Sequence, residues 1–415
     1  MKICHTADWH LGNARSRIDP ETGLNARLMD FYRCARFTIE DSIARGAELI
    51  LHAGDVFNSP RPSPTERRLA LEAFNPALIA HVPVIAIVGN HDMPRSPSER
   101  HALDSLKPAR YFDSNLYIVD RPLIYNIFRL GDRIGVALRG VPYEPATLEL
   151  QIACLPWPNA SLLLADGAAR KLEPGERNLL VRGKLMDILN GLAADLRPGI
   201  PSILLAHCSL DVAAAGAQDR LMMLGGEWTL NAAEIASLGF TYVALGHIHK
   251  PQCVAGGVVY YSGSPEACNH GEEGEAKSYL LIDIPPNDPE GIEIEQVPTP
   301  FRTFLTVDGD FGAPGQPTLA DCEGAIVRIR IPQAAASQAT EIRRQIEAAG
   351  ALEITIEIER AEAERRAGAL EVSAGMDVEA ALRTWLAQRL ELEPLADVLV
   401  AEGLAIDRSL QGAAE

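Results

Sequence analysis

A short apolar segment that stops at a cluster of polar residues constrains this chain more than any other feature. Residues 84–88 read Val-Ile-Ala-Ile-Val and lead directly to Gly89, Asn90, His91 and Asp92. A brief β-branched run of this kind predicts a fully buried strand, and Gly89 allows a sharp turn at its end. In open α/β sheets, ligands bind at the carboxyl ends of the strands. The amide, imidazole and carboxylate at this end are groups that hold a metal ion and move a proton.

Four further apolar segments also end at residues able to bind a metal ion. Predicted strands over 2–7, 48–53, 202–206 and 241–245 lead to Asp8 and His10, to Asp55, to His207, and to His247 and His249, respectively. An Asp-x-His or His-x-His pair places two side chains on the same side of an extended segment. Each pattern alone is common in turns, whereas all of them in this order favour a metal centre.

The size of this ligand set predicts two ions. Together with Asn90, the strand ends offer seven oxygen and nitrogen ligands, and one tetrahedral ion takes only four. They suit two divalent ions, such as Mn, Fe, Zn or Mg, roughly 3.5–4 Å apart. Such a centre hydrolyses phosphate esters, because two cations activate a water and stabilise charge on the phosphoryl oxygens. Arg61 is a weak candidate for a phosphate contact, although a solvated loop arginine is the more ordinary interpretation.

The alternation of strands and helices predicts an α/β fold with helices packed on the faces of a sheet. Predicted helices cover residues 25–45, 64–80 and 179–196, and Ser63 with Glu66 forms a capping box for the second. Residues 141–201 otherwise lack a regular pattern, and the Gly/Ala-rich segment 210–228 predicts a mobile loop.

The chain after residue 297 has a different organisation. A domain boundary is predicted near Pro298, after which a β-β-α-β order indicates a small α/β unit that reaches residue 360. Residues 361–415 predict a linker followed by an amphipathic helix over 378–404, which Pro394 interrupts.

Composition limits the function and the compartment. The formal net charge of −18 argues against a protein that grips nucleic acid over its whole surface. It does not exclude a nuclease, because bound cations and a basic partner offset local carboxylates.

Seven scattered cysteines without a Cys-x-x-Cys pair predict a reducing, cytoplasmic location and disfavour a cysteine-based zinc site. No apolar run reaches the length of a membrane span, and the N-terminus leads straight into a strand without a signal peptide.

The ordered ligand set resembles the calcineurin-like metallophosphoesterase superfamily over roughly residues 1–285. Within it, four segments are similar to the SbcD family of nuclease subunits: His5–Gly12, Gly54–Phe57, Ala244–Pro251 and Ser262–Pro265. The resemblance implies an α/β sandwich of two mixed sheets flanked by helices over residues 1–297. It also implies a capping domain over 298–360 that helps to select DNA, and C-terminal helices within 361–415.

The resemblance implies a nuclease that uses two divalent ions, most readily Mn²⁺, in double-strand-break repair. Its family acts as a 3′-to-5′ exonuclease on duplex ends and as an endonuclease on single strands and hairpins. By position, Asp8, His10, Asp55 and His249 would hold one ion, and Asp55, Asn90, His207 and His247 the other. His91 would be the catalytic residue that assists the leaving group, and we interpret Asp92 as support behind the ligands.

Position 58 departs from the family pattern. Several relatives have a histidine there that supports the catalytic histidine, whereas this chain has Asn58. An asparagine can orient a neighbour by hydrogen bonding, but it cannot carry a proton at neutral pH.

The resemblance also implies partners. The family forms a homodimer through helices of the nuclease domain, and its C-terminal helices dock on an SbcC-like ABC-type coiled-coil ATPase. The amphipathic pattern over 378–404 fits that role, and it fits a self-packed helix equally well. Two other functions stay open, namely hydrolysis of small phosphodiesters or nucleotides at the same site and a non-enzymatic scaffold with this fold.

Overall fold

The structure is a computed structural model that folds into two compact units. It describes residues 1–12, 16–94, 96, 99–112, 115–141, 147–158, 163, 174–212, 228–285, 291–359 and isolated positions between 379 and 404. The first unit is Met1–Leu305 with Gly324–Ile326, and the second is Thr306–Glu323 with Val327–Glu415.

Two β-sheets build the first unit. Its strands are β1 Lys2–Thr6, β2 Leu49–His52, β3 Val84–Ile87, β4 Leu116–Val119, β5 Leu123–Leu130, β6 Arg133–Leu138, β7 Thr147–Leu155, β8 Ser202–His207, β9 Tyr242–Gly246, β10 Gln252–Ala255, β11 Val259–Tyr261, β12 Ser278–Asp283 and β13 Glu293–Pro298. The six-stranded sheet has the order β13-β12-β1-β2-β3-β4, and the seven-stranded sheet has the order β10-β11-β9-β8-β7-β5-β6. Strands β1 to β4 are parallel, as are β7, β8, β9 and β11. Parallel neighbours bring their carboxyl ends to a common edge.

Helices cover the outer faces of the two sheets. They are α1 Ala26–Ala44, α2 Pro64–Ile79, α3 Pro174–Ala194 and α4 Ala232–Ala236, with 3₁₀ segments at Ala102–Phe112 and His270–Glu272. The predicted capping box starts α2, since Ser63 Oγ accepts from the Glu66 amide and Glu66 Oε2 accepts from the Ser63 amide.

The hydrophobic core lies in three layers. Between the sheets, Ile3, Leu51 and Ile85 of the first sheet pack with Ile152 and Leu205 of the second. A second cluster packs α1 and α2 on the six-stranded sheet, and a third packs α3 and α4 on the seven-stranded sheet. Both faces of the central strands are therefore buried, which is why they read as continuous apolar runs. The predicted sandwich of two mixed sheets flanked by helices is confirmed.

One prediction about the middle of the chain is wrong. Residues 141–201 were expected to be irregular outside one helix, but Thr147–Leu155 is a nine-residue strand between β5 and β8. The predicted helix over 179–196 begins earlier, at Pro174. Three further strands were not predicted, namely β5, β10 and β13. Most of the predicted loop 210–228 lies outside the described residues.

A three-stranded sheet lies mainly within the second unit. Its strands, β14 Phe304–Asp308, β15 Ile326–Pro332 and β16 Glu353–Glu359, have the order β14-β15-β16, and α5 Ala339–Ala348 precedes β16. Val307, Val327, Ile329 and Ile346 are buried there. The β-β-α-β order matches the pattern in the sequence, while the role of this unit in selecting DNA stays a proposal.

Most of the predicted helix over 378–404 lies outside the described residues, and the positions described within it are helical. Within the described chain, no helix combines the length and the apolarity that a membrane span requires.

Candidate metal centre

The loops that follow β1, β2, β3, β8 and β9 meet at one edge of the sandwich. The amides of Asp8 and His10 donate to the carbonyls of Gly54 and Asp55 at 3.0 and 3.1 Å, which ties the first loop to the second. The amide of His247 lies 3.0 Å from Asp8 Oδ2 and so joins the fifth strand end to the first. Strand direction therefore gathers residues that are far apart in the sequence.

The backbone is strained at four of the predicted ligands. Asp8, His10, Asp55 and His247 have φ values of 54°, 46°, 58° and 100°, and they are four of the five non-glycine residues with positive φ in the described chain. Such residues cost about 1–3 kcal/mol each and persist where the surrounding structure holds them, often at functional sites. Their clustering marks this edge as a functional site independently of the ligand pattern.

One group of ligand atoms surrounds His10. Its Nε2 lies 2.9 Å from His249 Nε2 and 3.9 Å from Asp55 Oδ2. Two imidazole nitrogens that each coordinate the same ion at about 2.0–2.1 Å are expected to lie about 3 Å apart. The spacing of His10 and His249 therefore fits a shared cation.

A second group surrounds Asn90. Its Oδ1 lies 2.8 Å from His207 Nε2 and 3.0 Å from His247 Nδ1, and His207 Nε2 lies 3.4 Å from Asp55 Oδ2. Candidate ligand atoms of Asp8, Asp55 and His207 lie within 4.8 Å of one another. Because Asp55 belongs to both groups, the donor set fits a dimetal centre with a bridging carboxylate.

The charges at this centre are buried. Asp8 and His207 have no exposed surface, and Asp55 and His10 are 1 % and 2 % exposed. Burial raises the pKa of Asp8 and holds the pKa of His10 well below its usual range. Burial opposes ionisation of Asp55, but the charges of His207 and His91 outweigh it and lower its pKa. Burial alone would lower the pKa of His207, yet Asp55 raises it to about 9.

We expect metal binding to release a proton. His207, with a pKa of about 9 in the metal-free protein, is protonated at neutral pH, whereas a ligating imidazole must be neutral. The affinity for a divalent ion should therefore rise with pH and level off once pH exceeds that pKa. Calorimetric titration with Mn²⁺ at neutral pH, in buffers that differ in ionisation enthalpy, measures the released proton. A heat of binding that is independent of the buffer would contradict the expectation.

His91 lies beside the ligands. Its ring is perpendicular to that of His10, with centroids 4.7 Å apart, and its amide donates to Asp55 Oδ1 at 2.8 Å. Its Nδ1 lies 3.2 Å from the backbone carbonyl of Asn58. Because a carbonyl only accepts, Nδ1 carries a proton and Nε2 is left for another partner. The support from position 58 thus comes from the backbone, and the nature of the side chain does not enter this hydrogen bond.

Asp92 connects two loops of the centre. It is fully buried and accepts from the amides of Phe57 at 2.9 Å, Gly89 at 3.1 Å and Val56 at 3.3 Å. Burial raises the pKa of Asp92 to about 7. Its three backbone contacts place it behind the ligands, where it fixes the loops that carry Asp55 and the β3 end.

Arg61 is exposed on the loop before α2. Its side chain is 76 % accessible and pairs with Glu99 Oε1 at 2.7 Å, while a second nitrogen lies 3.2 Å from Glu99 Oε2. A phosphate at this position would compete with that carboxylate.

Three residues at the centre have no signal in the sequence. One of them, Cys268, offers a sulfur that lies within 4.8 Å of ligand atoms of His10 and His249. Trp157 stacks on His247 with ring centroids 5.3 Å apart, and its amide donates to the Val88 carbonyl at 2.8 Å. Glu272 Oε1 lies 2.9 Å from His249 Nδ1. All three belong to segments without ligand patterns, and only the folding of the chain brings them to the centre.

The model of the calcineurin-like phosphoesterase family matches residues 1–251. The chain is 27 % identical over 297 residues to the SbcD subunit of nuclease SbcCD from Bacillus subtilis (strain 168), covering 69 % of this chain and 67 % of the relative. It is 29 % identical over 303 residues to the corresponding SbcCD subunit from Rhodobacter capsulatus, covering 68 % and 66 %. It is 24 % identical over 314 residues to DNA double-strand break repair protein Mre11 of Methanocaldococcus jannaschii, covering 74 % and 69 %. The chain thus spans about two thirds of the length of these curated relatives.

Proposed function

This chain belongs to the calcineurin-like phosphoesterase family, and on that premise we propose that it is a two-metal-ion DNA nuclease. It would hydrolyse phosphodiester bonds at DNA ends and hairpins in double-strand-break repair and recombination. The observation that carries the proposal is that five strand ends bring two groups of nitrogen and oxygen ligands around Asp55. The relatives named as SbcCD nuclease subunits and as Mre11 support DNA as the substrate.

The proposed ligands divide between two ions, most readily Mn²⁺. By position in the family motifs, one would be held by Asp8, His10, Asp55 and His249, and the other by Asp55, Asn90, His207 and His247. Asp8 also lies within reach of the second group, since its ligand atom is within 4.8 Å of those of Asp55 and His207. When bound, the ions supply a nucleophile at neutral pH and offset the negative charge of the phosphate. The buried carboxylates of Asp8 and Asp55 would hold the ions by their negative charge.

His91 would move the proton in this reaction. Donation from Nδ1 to the Asn58 carbonyl fixes the ring and leaves Nε2 to face the substrate in the proposed reaction. In its imidazolium form, with a proton on each nitrogen, His91 would give the Nε2 proton to the leaving oxygen as the bond to phosphorus breaks, and the neutral ring would keep its Nδ1 proton. The hydrogen bond from the His91 amide to Asp55 Oδ1 holds His91 next to this proposed ligand.

A complex with partner subunits would explain how an acidic chain can act on DNA. With a net charge of −18, the chain would obtain much of its DNA-binding surface from partners. We propose a cytoplasmic homodimer in which residues 361–415 dock on an SbcC-like ABC-type coiled-coil ATPase and residues 298–360 select DNA. The word subunit in the names of two relatives supports such a complex.

A nuclease assay on the full chain tests the proposal. We expect Mn²⁺-dependent release of nucleotides from end-labelled linear duplex DNA and cleavage of a DNA hairpin, with and without a co-purified ATPase partner. Asp55→Asn, which removes charge from both ligand groups, should abolish both activities. Activity confined to small esters such as bis-p-nitrophenyl phosphate or a cyclic nucleotide would support the alternative, a phosphodiesterase of small substrates. Failure of the chain to bind any divalent ion would favour the other alternative, a non-enzymatic scaffold with this fold.

A further inference from the structure

A buried carboxylate holds the imidazole of His249 through Nδ1, the nitrogen that does not contact His10. Glu272 Oε1 lies 2.9 Å from His249 Nδ1, and Glu272 is 5 % exposed. It ends the 3₁₀ segment His270–Glu272, between β11 and β12. Neither the proposed ligands nor the proposed proton transfer use this carboxylate.

Glu272 is itself fixed in place. Its Oε2 lies 2.6 Å from the Nζ of Lys277, which is completely buried, and accepts from the Cys268 amide at 3.0 Å. Lys277 also donates to the His249 carbonyl and to Ser264 Oγ, both at 3.2 Å. Swinging the carboxylate away from His249 would leave a buried lysine without its nearest counter-charge, which is costly.

The hydrogen bond decides which nitrogen of His249 can bind an ion. An ionised carboxylate only accepts, so Nδ1 of His249 carries a proton, and in the neutral ring Nε2 is the nitrogen with the free lone pair. Nε2 is also the atom that lies 2.9 Å from His10 Nε2 inside the centre. In metalloproteins, a carboxylate behind a ligating histidine fixes its tautomer and orientation and raises its basicity.

We propose that Glu272, braced by Lys277, is a positioning residue that holds His249 in the Nδ1–H tautomer and so raises the affinity for one of the two ions. The inference rests on the proposed ligand set. It concerns one ion only, because the His207, His247 and Asn90 side chains are oriented by other contacts.

Replacing Glu272 with glutamine tests the charge of the contact. In Glu272→Gln, calorimetric titration of the full chain with Mn²⁺ should show one ion bound about 10- to 100-fold more weakly and the other unchanged. Glu275→Gln is the matched control, since Glu275 Oε2 lies 3.4 Å from the same lysine. The control removes an equal charge beside Lys277 but keeps the carboxylate at His249, and we expect both affinities to be retained.

The tautomer itself can be observed in the unaltered protein. In ¹⁵N spectra of the metal-free full chain with labelled histidine, recorded at a pH at which the His249 ring is neutral, its one ring proton should lie on Nδ1, and Glu272→Gln should populate the other tautomer. A neutral His249 ring with its proton on Nε2 in the wild type, or equal affinities in Glu272→Gln and wild type, would overturn the role of Glu272. Binding of fewer than two ions by the wild type would instead refute the ligand set on which the inference rests.

Discussion

Replacement of His91 by alanine is expected to slow phosphodiester hydrolysis by about 10²- to 10⁴-fold, the usual contribution of a general acid. Ion binding should be retained, because His91 is proposed to act on the leaving oxygen rather than as a ligand. Its ring is held through the Asn58 carbonyl and lies against His10, so its removal opens space beside the ligands without removing one of them.

Two measurements separate this role from a structural one. Calorimetric titration with Mn²⁺ should give two ions in both proteins, and the defect of His91→Ala should shrink on a p-nitrophenyl ester, whose leaving group needs no proton. Asn58→Ala is the matched control, since the backbone carbonyl that orients His91 survives the change, and we expect its activity to stay close to that of the wild type. Equal losses of ion binding and turnover in His91→Ala would show that His91 is a ligand.

Replacement of Gly89 by alanine is expected to destroy the centre and to destabilise the fold. A Cβ at this position would lie 2.1 Å from Asp55 Oδ1 and 2.4 Å from the Asp55 amide nitrogen, far inside van der Waals contact. Relief requires the β3 end to move away from Asp55, which would separate Asn90 and His91 from the other strand ends. Overpacking at a buried site costs about 1–3 kcal/mol, and occasionally more, and we expect the upper end here because both contacts are with the same buried residue.

Thermal unfolding and metal titration measure the two effects of Gly89→Ala. We expect a lower Tm and loss of tight binding of both ions, since Asp55 is the residue common to both ligand groups. Gly183→Ala in α3 is the matched control, because no atom lies within 4 Å of its added Cβ and alanine favours a helix by about 0.5–1 kcal/mol. Binding of two ions with wild-type affinity by Gly89→Ala would contradict the argument.

The sequence by itself determined the identity of the residues that gather at the centre. Each of Asp8, Asp55, Asn90, His207 and His247 directly follows a short apolar run or ends one. Strand formation can be predicted from neighbouring residues alone, because it depends on the spacing of apolar residues and on β-branched side chains. Parallel strands place their carboxyl ends together, so local patterns were enough to predict helices on the faces of a sheet and the meeting of the strand ends. The second sheet was expected only from the resemblance to the family.

The same local reasoning missed β7, which lies between Pro-bearing segments and is held by β5 and β8 on either side. It interpreted residues 141–201 as irregular because strand pairing, which stabilises Thr147–Leu155, depends on residues elsewhere in the chain.

Only the tertiary structure decided how the ligands are held. Glu272 reaches His249, Trp157 stacks on His247, and a backbone carbonyl orients His91. The first two contacts join segments separated by 23 and 90 positions, and the third involves an atom that every residue type possesses. The pattern that predicts a ligand is local, because it consists of a short apolar run followed by a polar residue at the end of a strand. The contacts that fix its tautomer and angle come from whichever segments the packing brings close, and no spacing in the sequence records them.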